Sequence, residues 1–315
     1  MSKLPVFLCL QVFLVGAVFA TETVTLKYGW KPGIYAQVEG QQSQQKFLGD
    51  QAQGGMQIGV SYIMSTKAHE AGLQVDYLDV KASILTEDPS LQGWMKSYLE
   101  AVSGAIPSYI INQQGGMSGA VGVPAFREAT MSTISPLLKD APEEQKQQMI
   151  AAVGQMLTED ILNQQLATEW NLNVGQWLGA ELDNDGTYEV EFETPVAALG
   201  NQMVKSVAQI EYSGRVNCGS LDQSQSCVSL LYHSETDNVS VKELLRKMVP
   251  PGQPVPDLNV SVVLDLELVT DPETLLPYFT KQTKRSTAPM DTPEGAVTVT
   301  QVQESEVRYL YVMGI

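Results

Sequence analysis

Histidine, cysteine and basic side chains are scarce in this sequence, and each shortage narrows the classes of protein to consider. The 315 residues include 2 histidines, 3 cysteines and 19 lysines and arginines, against 36 aspartates and glutamates. The net charge of −17 disfavours nucleic acid and anionic membrane surfaces, which attract clustered positive charge. The one basic cluster, Lys281, Lys284 and Arg285, is interpreted as a solvated helix end. We predict no nucleic-acid partner and no cofactor.

Candidates for catalysis are equally few. A structural or catalytic zinc ion takes three or four histidine, cysteine or carboxylate ligands, and no two histidines stand at metal-binding spacing. His69 lies in the predicted turn "KAHEAG" and His233 ends the predicted strand "SLLYH", so both are expected at the surface. The segment "GGMSGA" around Ser118 lacks the second glycine of a nucleophile elbow. We therefore assign no catalytic residue and expect a protein that is not an enzyme.

The first residues predict a secretory signal. Lys3 precedes an apolar run over 4–20, and the small residues Val18 and Ala20 suit the pockets of a signal peptidase. The alternative, a membrane anchor, is less favoured because the run is shorter than the ~20 residues that span a bilayer. Cleavage after Ala20 predicts a secreted or periplasmic protein whose mature chain has no membrane span.

That compartment decides the interpretation of "NCGSLDQSQSC". Cys218 and Cys227 could bind a metal, carry out redox chemistry or close a loop. Redox catalysis favours a closer pair and metal binding needs more ligands, whereas cysteines in an oxidising compartment usually pair. We predict a disulfide between Cys218 and Cys227.

Apolar and polar side chains alternate with period two in about ten segments, the pattern of antiparallel strands with one solvated face. In "DLNVSVVLDLEL" leucine and valine occupy alternate positions over 258–268, and "GTYEVEFET" alternates in the same way. The other predicted strands are 24–28, 34–47, 56–64, 73–84, 204–216, 228–233, 297–302 and 307–313.

Helical periodicity interrupts these strands. Helices are predicted at 89–106, at 124–166 with a break at Pro136, at 240–248, and as a short segment at 271–276. Asp140 with Glu143, and Ser240 with Glu243, have the spacing of capping boxes.

The order strands, helices, strands, helix, strands predicts an α+β fold, because parallel sheets alternate strand and helix. We expect a single domain over 21–315. An alternative of two similar halves, 21–170 and 171–315, comes from "WKPGIY" and "LNVGQW", which both place a glycine two residues before an aromatic residue.

The stretches "LKYGWKPGIYAQVEG" and "EWNLNVGQWLGAEL", together with the signal peptide and the cysteine pair on later strands, resemble a loose group of secreted bacterial proteins of unknown function. The group is similar to the lipoprotein-localisation-factor type of fold, a large, curved, half-barrel-like antiparallel sheet with an inserted helical segment on its concave face. The resemblance implies an apolar cavity and a lipid-like ligand, and it identifies no ligand-binding residue in this chain.

One acidic segment is a weak candidate for calcium. Glu181, Asp183 and Asp185 precede Gly186 at the spacing of an EF-hand loop. The twelfth position is Phe192 instead of a bidentate glutamate, and strands flank the segment. "DNDG" is also a good hairpin turn, which is the interpretation we favour.

Three classes of function stay open. A carrier of an apolar small molecule or lipid predicts a closed apolar pocket of roughly several hundred Å³. A structural or interaction protein of the bacterial envelope predicts a filled core with an exposed apolar or acidic patch. A hydrolase, the least favoured, predicts a cleft around His69 or His233. The helical methionines suit a pocket or, as we favour, the core: Met95, Met131, Met149, Met156 and Met248.

Overall fold

The structure is a computed structural model that describes residues 22–84, 89–139, 142–184, 186–196, 199, 202–219, 226–248, 260–292 and 295–311. The strands are β1 (Thr23–Thr25), β2 (Tyr35–Leu48), β3 (Gln51–His69), β4 (Gly72–Ile84), β5 (Ser108–Ile111), β6 (Met117–Val121), β7 (Glu181–Asp183), β8 (Thr187–Val196), β9 (Gln202–Asn217), β10 (Ser226–Thr236), β11 (Ser261–Thr270), β12 (Pro277–Thr292) and β13 (Gly295–Tyr311). The helices are α1 (Pro89–Ser103), α2 (Val123–Ile134), α3 (Glu143–Met156), α4 (Glu159–Asn173) and α5 (Asn238–Met248).

Eleven strands form one curved antiparallel sheet in the order β6-β5-β4-β3-β2-β13-β12-β11-β10-β9-β8. The sheet is not closed, since β6 and β8 end the order, and β1 pairs separately with β7. The predicted α+β fold with a large antiparallel sheet and packed helices is confirmed. Because β2 pairs with β13, the sheet runs through both 21–170 and 171–315. Whether these are two similar halves stays a prediction.

The main core lies on one face of the sheet, called here the inner face. Alternate residues of the strands supply it, among them Val38 of β2, Val75 of β4 and Leu230 of β10, each fully buried. Helix α4 covers this face with Trp170, and Val174, directly after the helix, belongs to the same apolar cluster. The alternation seen in the sequence therefore marks the covered face.

Helix α5 packs near the other end of the same face. Its Val241 and Leu245 form a second apolar cluster with Val204 of β9 and with Val260. That cluster lies toward the end of the sheet where the β2–β3 and β12–β13 turns are found, called here the far end.

The start of α5 corrects one predicted cap. The carboxylate of Asp237 accepts the backbone N–H groups of Val239 and Ser240, at 3.1 and 2.9 Å, so Asp237 caps the helix. The Ser240 hydroxyl instead accepts the N–H of Lys205 at 3.1 Å and ties the helix to β9. The predicted Ser240–Glu243 capping box is wrong because the helix begins two residues earlier than its apolar stripe.

The predicted helix at 124–166 is three helices. The expected break at Pro136 is confirmed, since a short 3₁₀ segment, Ser135–Leu138, follows α2. Asp140 lies outside the described residues, and Pro142 occupies the N-cap position of α3. The predicted helical segment at 271–276 is wrong, because Asp271 accepts the Glu273 N–H and forms a turn.

The largest error is β12. Lys281, Lys284 and Arg285 lie in this strand and not at a helix end. The predicted strands at 297–302 and 307–313 belong to one strand, β13, as far as Tyr311. Polar residues on both faces of β12, and at 303–306 of β13, remove the period-two signal on which the sequence prediction relied.

Candidate functional site

Six aromatic side chains meet on the inner face beneath α4, and this group is called the aromatic cluster. Its members are Trp30, Tyr62, Tyr77, Tyr109, Trp170 and Tyr309. Ring centroids are 5.1 Å apart for Trp30 and Trp170, 5.2 Å for Tyr62 and Tyr77, and 5.7 Å for Tyr109 and Trp170. The two closest pairs are edge-to-face, an arrangement that aromatic quadrupoles favour.

Hydrogen bonds of the indoles fix the cluster in place. The Nε1–H of Trp170 donates to the carbonyl oxygen of Gly115 at 2.9 Å, and that of Trp30 donates to the carbonyl of Leu275 at 3.3 Å. The first bond ties α4 to the β5–β6 turn, and the second ties the entry of β2 to the turn before β12. The cluster thus joins distant parts of the chain without leaving an indole N–H unsatisfied.

The phenol groups of the cluster are neutral. Burial raises the pKa of Tyr62, Tyr77 and Tyr109 well above the ordinary tyrosine value, and it also raises the pKa of Tyr309. These hydroxyls therefore serve as hydrogen-bonding groups, as between Tyr77 and Tyr109.

Glu169 brings a single carboxylate to this apolar site. It lies on α4 beside Trp170 and lines the small space between the rings, while its side chain stays exposed to solvent at the mouth. The protein on its other sides withdraws water and raises the pKa of Glu169 above its ordinary value. Among the described residues no cation pairs with this carboxylate, and the residues that line the space include no lysine, arginine or histidine.

The space enclosed by the cluster is small. Its volume is 30 Å³, which holds one or two water molecules. This enclosure is far smaller than the closed pocket of several hundred cubic ångströms that the carrier hypothesis predicted. A larger apolar ligand does not fit inside the cluster, so the surface next to the cluster is the place to look for its site.

Such a surface continues from Tyr62 toward the far end of the sheet. Five apolar residues of β3 and β4, called the apolar strip, lie on the inner face and are only half-buried: Met56, Ile58, Val60, Ala82 and Ile84. Val60 pairs with Ala82 and Ile58 with Ile84, so the strip is two strands wide. From Met56 to Val60 it extends about 14 Å, and to Tyr62 of the aromatic cluster about 20 Å, at ~3.4 Å per residue.

Neighbouring elements define the strip's borders. On one side α1 packs against β4. On the other side β2 presents Gly40, Gln42 and Gln44, which pair with Val60, Ile58 and Met56. The apolar strip is therefore bordered by the amide side chains of Gln42 and Gln44, and the aromatic cluster lies at one end of it.

The two histidines are not part of this site. His233 is exposed on the opposite, outer face, and its Nδ1 lies 2.7 Å from Oδ1 of Asp265 on the paired strand. His69 ends β3, and its Nδ1 accepts the N–H of Ala71 at 3.2 Å within the turn. Five strand spacings separate β3 from β10, about 24 Å at ~4.8 Å each. The structure does not bring the two imidazoles together.

The calcium candidate is only partly described. Glu181 and Asp183 lie in β7, and Asp185 lies outside the described residues. Asp183 Oδ2 accepts the hydroxyl of Tyr188 at 3.1 Å, which fixes the turn before β8. Within the described ranges, no three histidine, cysteine, aspartate or glutamate side chains are grouped to hold a metal ion.

The predicted disulfide is confirmed. Cys218, just after β9, bonds to Cys227 of β10, and their Cα atoms are 5.0 Å apart. Both cysteines are buried and pack against Tyr278. The bond joins two neighbouring strands away from the aromatic cluster.

Sequence reasoning missed Glu169, the aromatic cluster and the apolar strip as a site. A signal was present, because Glu169 occupies the helical stripe formed by Leu162, Leu166 and Asn173, at spacings of four, three and four residues. A carboxylate on the otherwise mainly apolar side of a helix is therefore a position that the sequence could have singled out.

Comparisons with known proteins add little. No family model and no curated protein matches the chain. Among solved structures, one described as "lipid–protein interactions in lipovitellin" is similar, with a TM-score of 0.44 and 8% identity over 91% of this chain and 26% of that chain. The chain thus spans about a quarter of that protein's length. A likeness at this level says nothing about ligand or activity. In the part of the chain that the structure describes, no helix is long and apolar enough to cross a membrane.

Proposed function

We propose that this protein is a non-enzymatic binding protein for an apolar, lipid-like molecule, which lies along the apolar strip with one end at the aromatic cluster. The observation that carries the proposal is the incomplete burial of five apolar residues on the face that otherwise forms the core. Ile58 and Val60 are only partly buried beside a buried cluster, and contiguous apolar surface of this kind is typical of binding sites.

The dimensions of the strip suit an alkyl chain. The apolar strip and Tyr62 together extend about 20 Å and are two strands wide, enough for one extended chain, and the side chain of Met56 adapts its shape to a flexible ligand. Covering roughly 200 Å² of apolar surface contributes about 5 kcal/mol before the entropic costs of association. This corresponds to binding that is reversible, as a carrier requires.

The compartment is part of the proposal. The Cys218–Cys227 disulfide is compatible with an oxidising environment outside the cytosol. The signal peptide with its cut after Ala20 falls on residues outside the described part of the chain and stays a prediction. The resemblance to the lipoprotein-localisation-factor type of fold also stays a prediction.

The test is a charge placed in the strip. Val60→Glu puts a carboxylate in the strip, while the matched control Ser61→Glu places it on the outer face of the same strand. A neutral fluorescent probe, N-phenyl-1-naphthylamine, reports on binding. We expect Val60→Glu to weaken the probe about tenfold or more, a loss of about 1.4 kcal/mol, and Ser61→Glu to leave it unchanged. Equal affinities for both variants and the parent protein would refute the proposal.

A second candidate function, an interaction protein of the envelope, has one observation in its favour. Helix α3 contains no buried residue, and Met149, Ile150 and Met156 are exposed at 49%, 38% and 57%. The prediction that the methionines fill the core is therefore wrong for Met149 and Met156. Under this alternative, Met149→Lys and Met156→Lys abolish association with a partner protein and leave binding of the fluorescent probe intact. Sedimentation of this protein mixed with the partner protein measures the association.

A further inference from the structure

We propose that the aromatic cluster with Glu169 receives the head group of the ligand, and that this head group is positively charged. The inference rests on the proposed function, since it assigns one end of the apolar strip. The strip and the cluster are continuous through Tyr62, which follows Val60 on the same face of β3. A ligand whose chain lies on the strip brings its polar end to Glu169.

The charges around this end favour a cation. Glu169 is the one acidic side chain among the residues that line the space, and the other lining residues are aromatic, aliphatic or amide-bearing. No described cation neutralises it. An ammonium group there gains a carboxylate partner and the faces of tryptophan and tyrosine rings, which attract cations within about 6 Å of the ring centroid.

The size of the enclosed space sets the position of the head group. A volume of 30 Å³ is too small for a substituted ammonium between the rings, so the group lies at the mouth. Glu169 is exposed there and contacts solvent. An ammonium can therefore reach the carboxylate without being stripped of all its water, which avoids the large cost of burying an isolated charge.

A positive charge lies elsewhere on the same face. Lys284 of β12 pairs with Leu264, which packs on the main core, so it also lies on the inner face. Through the register of the sheet it is level with Met56, at the far end of the strip and three strand spacings away, about 14 Å. Glu169 and Lys284 thus lie toward opposite ends of this face.

The experiment compares three dodecyl amphiphiles, each below its micelle concentration: the trimethylammonium, the maltoside and the sulfate. Titration calorimetry gives affinities, and the fluorescence of Trp30 and Trp170 reports contact with the cluster. We expect the ammonium compound to bind about tenfold more tightly than the maltoside. In Glu169→Gln this preference disappears while the maltoside affinity stays. Glu189→Gln, which removes an exposed charge from the outer face, and Lys284→Gln keep the preference.

The outcomes separate the two proposals. If all three amphiphiles bind equally, or the sulfate binds best, the head-group assignment is overturned and the apolar site stands. If none binds, the proposed function itself fails. A preference for ammonium that survives in Glu169→Gln means that net negative charge, and not this carboxylate, attracts the cation, and it overturns the assignment. Circular dichroism of each variant confirms folding, and Glu169→Asp, which keeps the charge, restores part of the preference.

Discussion

Replacing Trp170 with phenylalanine tests whether the aromatic cluster holds the helices to the sheet. Trp170 is 4% exposed, its N–H donates to the buried carbonyl of Gly115, and its ring meets that of Trp30 edge to face. Phenylalanine keeps an aromatic ring but removes the donor. The unsatisfied carbonyl costs about 1–3 kcal/mol and the weakened ring contact about 1 kcal/mol, so the free energy of unfolding falls by about 2–4 kcal/mol.

Calorimetry measures this loss as a change in melting temperature. With an unfolding entropy of about 2.1 cal/mol/K per residue, the melting temperature of a chain of this length falls by about 3–6 °C. Hydrogen exchange should speed up in the β5–β6 turn around Gly115 and stay unchanged in the β12–β13 pairing. Tyr35→Phe, at an exposed position on the outer face, is the control. A Trp170→Phe protein that melts within about 1 °C of the parent refutes the role assigned to this bond.

Three further predictions concern stability. Replacing Cys218 and Cys227 with alanine opens a ten-residue ring and lowers the free energy of unfolding by about 2.7 kcal/mol. Calorimetry should show a melting temperature about 4 °C lower, and an unchanged melting curve would mean that the disulfide does not contribute to stability. Gly72 and Gly49 both have positive φ (+142° and +57°), but a Cβ at Gly72 collides with a carbonyl of β5 and a Cβ at Gly49 contacts nothing. In urea unfolding, Gly72→Ala should therefore be more destabilising than Gly49→Ala by about 2 kcal/mol. Because the pKa of Glu169 is raised, the folded protein binds the proton of this carboxyl group more tightly than the unfolded chain does. The contribution of Glu169 to the free energy of unfolding therefore falls as pH rises from the ordinary glutamate pKa through the raised pKa. Urea unfolding from about pH 4 to about pH 7 should show that slope in the parent and a flatter profile in Glu169→Gln, and identical profiles would contradict it.

The parts of the fold that the sequence revealed are those with one covered face. In β11, Leu266 and Leu268 are buried against the main core while Asp265 is exposed, and the strand was predicted from this alternation. In β12, Gln282 and Lys284 on the inner face and the polar residues opposite give no such contrast. The inner face of β12 is polar at these positions, so hydrophobic periodicity does not mark this strand. A strand held by its neighbours' backbone hydrogen bonds alone is invisible to this kind of prediction.

The site was harder to predict because it depends on distant pairings. Trp30 and Trp170 stand in the two stretches that the sequence singled out, but their contact comes from the docking of α4 on the sheet. The apolar strip depends on the register of β3 with β4, which places Val60 opposite Ala82 after an irregularity in the pairing. Local patterns carry no information about such register shifts. Glu169 alone had a local signal, as a carboxylate on an apolar helical stripe.

The pairing of β2 with β13 has a consequence for how the chain reaches its fold. Partners such as Ala36 and Tyr311 are more than about 250 positions apart, so the middle of the sheet closes the longest loop in the topology. Until β2 and β13 pair, each of them is an edge strand with unpaired backbone N–H and C=O groups. The glutamine-rich stretch "QQSQQ" of β2 can then pair with a strand of another molecule. The segment that is most protected in the native sheet is thus the one most open to wrong partners during folding, and conditions that slow this closure should favour aggregation through β2.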